Sequence, residues 1–134
     1  MQKRFLVFSG FSGALSVILG AMAAHYLESK LDNIHFTLRN LQTFETAAKY
    51  QMYHSIALLG LAFLFEKFNS KMLSKAGYCF MAGIVLFSGS LYFLSTAGLI
   101  GLTNVRWLGP ITPIGGLFFI AGWVFIALSA FRKK

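Results

Sequence analysis

The sequence predicts an all-α membrane protein: four transmembrane helices, both termini cytoplasmic, with an interfacial segment between helices 1 and 2. Three observations predict it. Hydrophobic residues make up 57% of the chain and charged residues 12%, against about 25% charged in a soluble domain. That leaves too little polar surface to cover a globule in water. Four apolar runs follow one another, each long enough to cross roughly 30 Å of hydrocarbon. The basic residues stand at the ends of those runs, the pattern of a membrane chain. At 134 residues the chain has room for one domain, with spans at about 5–25, 46–65, 76–97 and 113–131.

Lys3 and Arg4 lead into the first run, Phe5 to Ala24. A secretory signal is the rival reading, with Ala21–Met22–Ala23 as its cleavage site, but the run exceeds the usual ~7–15-residue signal core. A retained helix is expected. Ser16, Gly20 and Ala24 recur every four residues, so one face is small and suits close helix packing. From His25 to Thr43 polar residues alternate with Leu27, Leu31, Ile34, Phe36, Leu38 and Leu41, which reads as an extramembrane connection with a helical piece lying in the interface.

The second span, from about Thr46 to Phe65, is followed by a basic turn that starts Glu66–Lys67–Phe68–Asn69–Ser70–Lys71 and runs to Lys75. The third span carries Ser88, Ser90, Tyr92, Ser95 and Thr96 in its later half. Gly98 to Ile111 is mostly apolar, and non-helical backbone cannot face lipid, so this piece should pack on the bundle or sit at the interface. Thr112–Pro113 reads as N-cap and first residue of the fourth helix, which Arg132–Lys133–Lys134 stops.

Orientation follows from the cations. One side would hold Lys3, Arg4, Lys67, Lys71, Lys75, Arg132, Lys133 and Lys134; the other Lys30, Arg39, Lys49 and Arg106. The positive-inside rule places the first set, and both termini, in the cytoplasm. The net charge of +8 then serves topology and contact with anionic membrane lipids. No basic stripe or motif supports nucleic acid as a partner.

The polar residues concentrate at one depth. With a rise of about 1.5 Å per residue, Tyr50 lies about 6 Å and His54 about 12 Å below the outer boundary. Ser88 comes to the same depth as His54, and Tyr92 to that of Tyr50. Thr112 and the amides of the fourth helix start add polarity on that side. Gln51, His54 and Ser55 share one helical face; Glu45 and Lys49 form an i, i+4 ion pair on the opposite side, near the interface. The expected site is a polar pocket in the outer half of the bundle built from Tyr50, Gln51, His54, Ser88, Ser90, Tyr92 and Thr112. His54 is expected to be neutral and hydrogen-bonded, to Ser88 or Ser90.

Several chemistries find no support. His25 sits at the outer boundary, roughly 12 Å above His54, too far to share a metal, whose ligands must lie within about 2.1 Å of it. Gly10, Gly13 and Gly20 lie inside an apolar helix, not in a nucleotide loop. No Ser–His–Asp or paired-carboxylate set is present, so no enzyme and no cofactor are expected. Cys79, the single cysteine, reads as a small buried hydrophobe.

Four segments in order, Gly20–Ala21–Met22–Ala23–Ala24–His25, the run from Phe44 to Leu59, Phe87–Ser88–Gly89–Ser90–Leu91–Tyr92 and Ile111–Thr112–Pro113–Ile114–Gly115–Gly116, resemble the bacterial inner-membrane family called domain of unknown function 423. The resemblance covers essentially the whole chain. It implies a four-helix integral membrane protein whose signature is these polar segments, and it implies no particular activity. Lys49 departs from the pattern, where a neutral polar residue is often found. Two functions follow from the residues. One is a binding or accessory protein whose pocket holds a lipid, a small molecule or a partner helix. The other is a small oligomeric transporter or proton-coupled carrier using His54. Membrane lipids are the expected partners, with a homo-oligomer or a second membrane protein beside them.

Overall fold

A computed structural model describes residues 2–68 and 70–131; Arg132–Lys133–Lys134, expected to stop the last span, and Asn69 of the basic turn lie outside the described residues. The described residues are helical and contain no strand. Five α-helices, α1 (Gln2–Met22), α2 (Leu38–Phe68), α3 (Lys71–Gly83), α4 (Gly89–Thr96) and α5 (Ile111–Phe131), make four rods. A π-helical turn, Ile84–Ser88, joins α3 to α4 in one rod, and a second, Ala23–Leu27, carries α1 on to a short 3₁₀ turn, Glu28–Lys30. Three helical stretches, Gln2–Lys30, Lys71–Ile100 and Arg106–Phe131, are long and apolar enough to cross a membrane. α2 is longer, but its polar residues keep it below that threshold.

The rods run up and down. Gln2 donates to Glu66 Oε2 at 3.3 Å, and Ser129 shares a cavity wall with Leu64 and Ser70, so the start of α1, the α2–α3 turn and the end of α5 lie at one end of the bundle. The 31–37 loop lies at the other end, where Gly98 lets the His35 carbonyl sit against the third rod. α2 is the hub: α1 packs along it on one side and the third rod on another, while α5 packs mainly on the third rod.

Local chemistry sets the ends. α2 starts at a reciprocal capping box: Asn40 Oδ1 accepts from the Thr37 amide at 2.9 Å and the Asn40 amide donates to Thr37 Oγ1 at 3.4 Å. Such boxes satisfy two orphan amides at a helix start. Ser70 caps α3 by accepting from the Met72 amide at 3.2 Å. Gly101, at φ 73°, closes the third rod in the left-handed region, with the Leu102 amide donating back to the Ala97 carbonyl at 2.9 Å; glycine adopts this φ without the Cβ penalty.

Two apolar clusters fill the interior. Toward the termini, Phe5, Leu58, Leu61, Leu73, Phe80 and Phe119 form one; at the far end Ala23, Leu27, Phe36, Leu41 and Phe44 form another. α5 reaches the third rod through small residues: Gly115 lies on the Phe87 backbone, Gly122 on the Phe80 ring, and Phe119 in turn on Gly83. Close backbone approach at small residues is how helices gain dispersion contacts in lipid, where no hydrophobic effect drives them together.

Three expectations change here. The 25–43 segment holds no separate interfacial helix: its helical parts continue α1 to Lys30 and start α2 at Leu38. Of the small-residue trio only Ser16 is buried; Ala24 is exposed and a side chain at Gly20 would meet nothing. The face of α1 that packs is instead Phe5, Ser9, Ser12, Ser16, Ala23 and Leu27. Thr112 is not a cap, because α5 already begins at Ile111. Leu99 and Leu108 of the apolar 98–111 segment pack inward as expected, although Trp107 is exposed. Cys79 is a free thiol and half-buried.

Candidate functional site

The polar site residues make three interhelical clasps, two of them centred on α2, not one pocket. The first joins α1, α2 and α4. Gln51, 3% exposed, donates from Nε2 to the Ser12 carbonyl at 2.9 Å and accepts on Oε1 from the Tyr92 hydroxyl at 2.7 Å. Ser55 Oγ donates to Ser12 Oγ at 2.8 Å and lies 2.7 Å from the Gln51 carbonyl. Ser16 donates to the Ala48 carbonyl at 2.7 Å, and Ser88 to the Ala47 carbonyl at 2.8 Å. Adjacent peptide carbonyls of α2 are thus taken from two sides, which the small Ala47 and Ala48 permit.

The second clasp is His54. Its Nδ1 is 2.8 Å from the Tyr50 carbonyl, and its Nε2 accepts from Trp123 Nε1–H at 3.2 Å. An indole N–H is only a donor and a carbonyl only an acceptor. The two bonds therefore define the neutral Nδ1–H tautomer, with both nitrogens engaged. The imidazole lies flat on Phe119, ring centroids 3.5 Å apart and planes 7° apart. His54 bonds neither Ser88 nor Ser90. Ser88 bonds the Ala47 carbonyl, two turns or about 10 Å along α2 from His54, while His54 meets Trp123 of α5.

The third clasp is a 2.6 Å contact between Ser90 Oγ and Thr112 Oγ1, with Ser90 also donating to the Phe87 carbonyl at 3.0 Å. Thr112 thus ties the start of α5 to α4. Tyr50 pairs in depth not with Tyr92 but with Phe87, at 4.9 Å between centroids.

Remaining site residues lie apart. Glu45 is half-buried and Lys49 exposed, with no ion pair between them among the described residues; His25 is exposed on the π-helical turn. No group of His, Cys, Asp and Glu among the described residues has the arrangement of a metal site. No buried side-chain nitrogen or oxygen described here lacks a hydrogen-bond partner.

Cavities divide along the same lines. Tyr50 and His54 line an open groove of about 590 Å³ between α2 and α5, together with Tyr53, Phe87, Gly116, Phe119 and Trp123. Gln51 and Tyr92 lie instead at a crevice between α1 and the third rod. Sequence reasoning missed Ser12, Phe119 and Trp123. The Ser9, Ser12, Ser16 spacing on α1 carried a signal for the first, since i, i+3, i+7 places them on one face. The aromatics of α5 carried none, because their partners lie on another helix.

Helices apolar on the outside, with their polar groups paired to one another inside, define a multi-pass integral membrane protein. The chain belongs to the family described as Protein of unknown function (DUF423), whose model matches residues 19–116. It is 40% identical to the UPF0382 membrane protein YwdK of Bacillus subtilis, over 98% of each chain. It is 39% identical to the UPF0382 membrane protein SH2409 of Staphylococcus haemolyticus, again over 98% of each. Against the UPF0382 inner membrane protein YgdD of Escherichia coli the identity is 35%, over 100% of this chain and 95% of that one. No solved structure matches. The chain is a bacterial inner-membrane protein.

Proposed function

We propose that the protein is a binding or accessory protein of the membrane, not an enzyme or carrier, with the aromatic groove between α2 and α5 as its working surface. It crosses the membrane four times, α2 included, with both termini in the cytoplasm. Gln51, His54 and Ser55 of α2 are buried against neighbouring helices, whereas Tyr53, Ile56, Leu59 and Phe63 face outward. Mean hydropathy counts the first set against insertion although lipid would never meet them. A 31-residue α2 is about 46 Å long, enough for hydrocarbon and headgroups together.

One observation carries the functional reading: among the described residues every buried polar side chain is already paired within the bundle. A carrier needs a group free to exchange its proton, and His54 has both nitrogens engaged. What remains open is an apolar groove lined by aromatics and a glycine, suited to a lipid chain, an apolar small molecule or a partner helix. Ile120 stands in the groove wall and is 61% exposed, so Ile120→Trp fills the groove without entering the core. Native mass spectrometry of wild type and Ile120→Trp, extracted from native membranes, tests this. A co-purifying lipid, small molecule or protein is expected to be lost from the variant. Unchanged occupancy of every bound species refutes the groove, and His54-dependent proton flux in proteoliposomes refutes the accessory role.

A further inference from the structure

We infer a second, separate site: a seat for one anionic phospholipid along the crevice between α1 and the third rod. α1 rests on α2 and touches the third rod at Phe5, which packs edge-on against Tyr78 at 5.6 Å. Beyond that contact the two rods part. Two adjoining cavities occupy the crevice and share Phe8 and Phe11. The one nearer the chain's start is lined by Lys3, Arg4 and Met81; the deeper one runs past Leu15 and Val85 to Ser12 and Gln51. From Arg4 to Leu15 along the helix is about 16 Å, close to the ~15 Å of one hydrocarbon leaflet. Two cations thus stand at the mouth of an apolar channel one leaflet deep.

That geometry suits a phospholipid with its phosphate at Lys3 and Arg4 and one acyl chain lying against Phe8, Phe11 and Val85. Phe11 is 77% exposed and Val85 62%, so the channel is open to lipid along its length. Three other charged groups at this end are engaged elsewhere. Lys67 lies over the Phe68 ring at 5.6 Å and Lys75 over Phe125 at 5.7 Å, while Glu66 is held by Gln2. Lys3 and Arg4 have no carboxylate partner among the described residues. A basic pocket between transmembrane helices is the usual seat of an acidic headgroup.

The test is native mass spectrometry of the delipidated full chain in detergent, offered phosphatidylglycerol or phosphatidylcholine of the same acyl composition. Wild type is expected to bind one phosphatidylglycerol about tenfold more tightly than phosphatidylcholine, a selectivity within reach of two cations at an anionic headgroup. Lys3→Ala/Arg4→Ala is expected to equalise the two lipids while still binding. Val85→Trp, which fills the channel, is expected to lose both. All three positions are exposed, and circular dichroism confirms that each variant is folded. Equal affinity of wild type for the two lipids overturns the proposal, as does selectivity that survives in the double variant. So does a lipid-independent dimer cross-linked through Phe11→Cys in a Cys79→Ser background, which would put a second copy in the channel.

Discussion

The Gln51–Tyr92 bond can be tested as a pair. Gln51→Leu keeps side-chain volume, so no cavity confuses the result. It removes the bond to the Ser12 carbonyl and the one from the Tyr92 hydroxyl. The Ser12 carbonyl keeps its place in the α1 ladder, but the Tyr92 hydroxyl is left without its acceptor. Interhelical bonds in membrane bundles contribute about 0.6 kcal/mol on average and up to about 1.7, and an orphaned buried polar group costs about 1–3 kcal/mol. Gln51→Leu should therefore cost about 2 kcal/mol and Tyr92→Phe about 1. The double variant removes both ends together and should cost about 2, a coupling of about 1 kcal/mol. The assay is equilibrium unfolding in mixed micelles with rising SDS, followed by far-UV circular dichroism, for the four proteins of the cycle. A coupling inside the ~0.3–0.5 kcal/mol scatter of independent sites refutes the clasp.

Three further predictions use other contacts. Side-chain ¹⁵N NMR of His54 should show a protonated Nδ1 and a bare Nε2, with the Nε2 signal shifting in Trp123→Phe; an Nε2–H tautomer contradicts the bond from the indole. Gly115→Ala drives a methyl into the Phe87 backbone and should cost about 1–3 kcal/mol by overpacking. Gly116→Ala, whose Cβ would lie 3.8 Å from the Phe87 ring, should instead be neutral or gain up to about 1 kcal/mol of helix propensity; similar effects at the two sites on micellar unfolding would refute the packing. Asn40→Ala breaks the capping box and should cost about 1 kcal/mol, with amide hydrogen exchange rising in the first turn of α2 and unchanged near His54.

Much of the fold was legible because lipid imposes long apolar runs, and α1, the α3/α4 rod and α5 announce themselves that way. The start of α2 was misplaced for a specific reason. Thr37–Leu38–Arg39–Asn40 is a capping box, but Asn stands where Glu or Gln is usual, and the polar residues after it read as loop. Within the site, depth set Tyr92 beside Tyr50, but the Tyr92 hydroxyl reaches the next residue, Gln51. His54 was assigned the wrong partner because the depth estimate put Ser88 about two turns of α2 too far along. Ser88 bonds the Ala47 carbonyl, about 10 Å along α2 from His54, and the His54 bond goes to an indole N–H whose helix offers no polar signature in sequence.

Azimuth explains why the signature run in α2 is polar at all. At about 100° per residue, with Ala47 at the origin, His54 lies at about −20°, Gln51 at about 40°, Ser55 at about 80° and Ala48 at about 100°. Read around the helix, that is the order α5, third rod, α1. His54 bonds Trp123, Ala47 receives Ser88, Gln51 reaches both Tyr92 and Ser12, and Ala48 receives Ser16. A 120° arc of one helix thus specifies three neighbours, each by a different hydrogen-bonding group. In lipid, apolar surface has no preference among apolar partners, so directional bonds and close approach must choose them. This also accounts for α1 and α5 lying apart, at opposite ends of the arc. The crevice beside α1 and the groove beside α5 follow from that separation, so both open surfaces trace back to the spacing of five residues in α2.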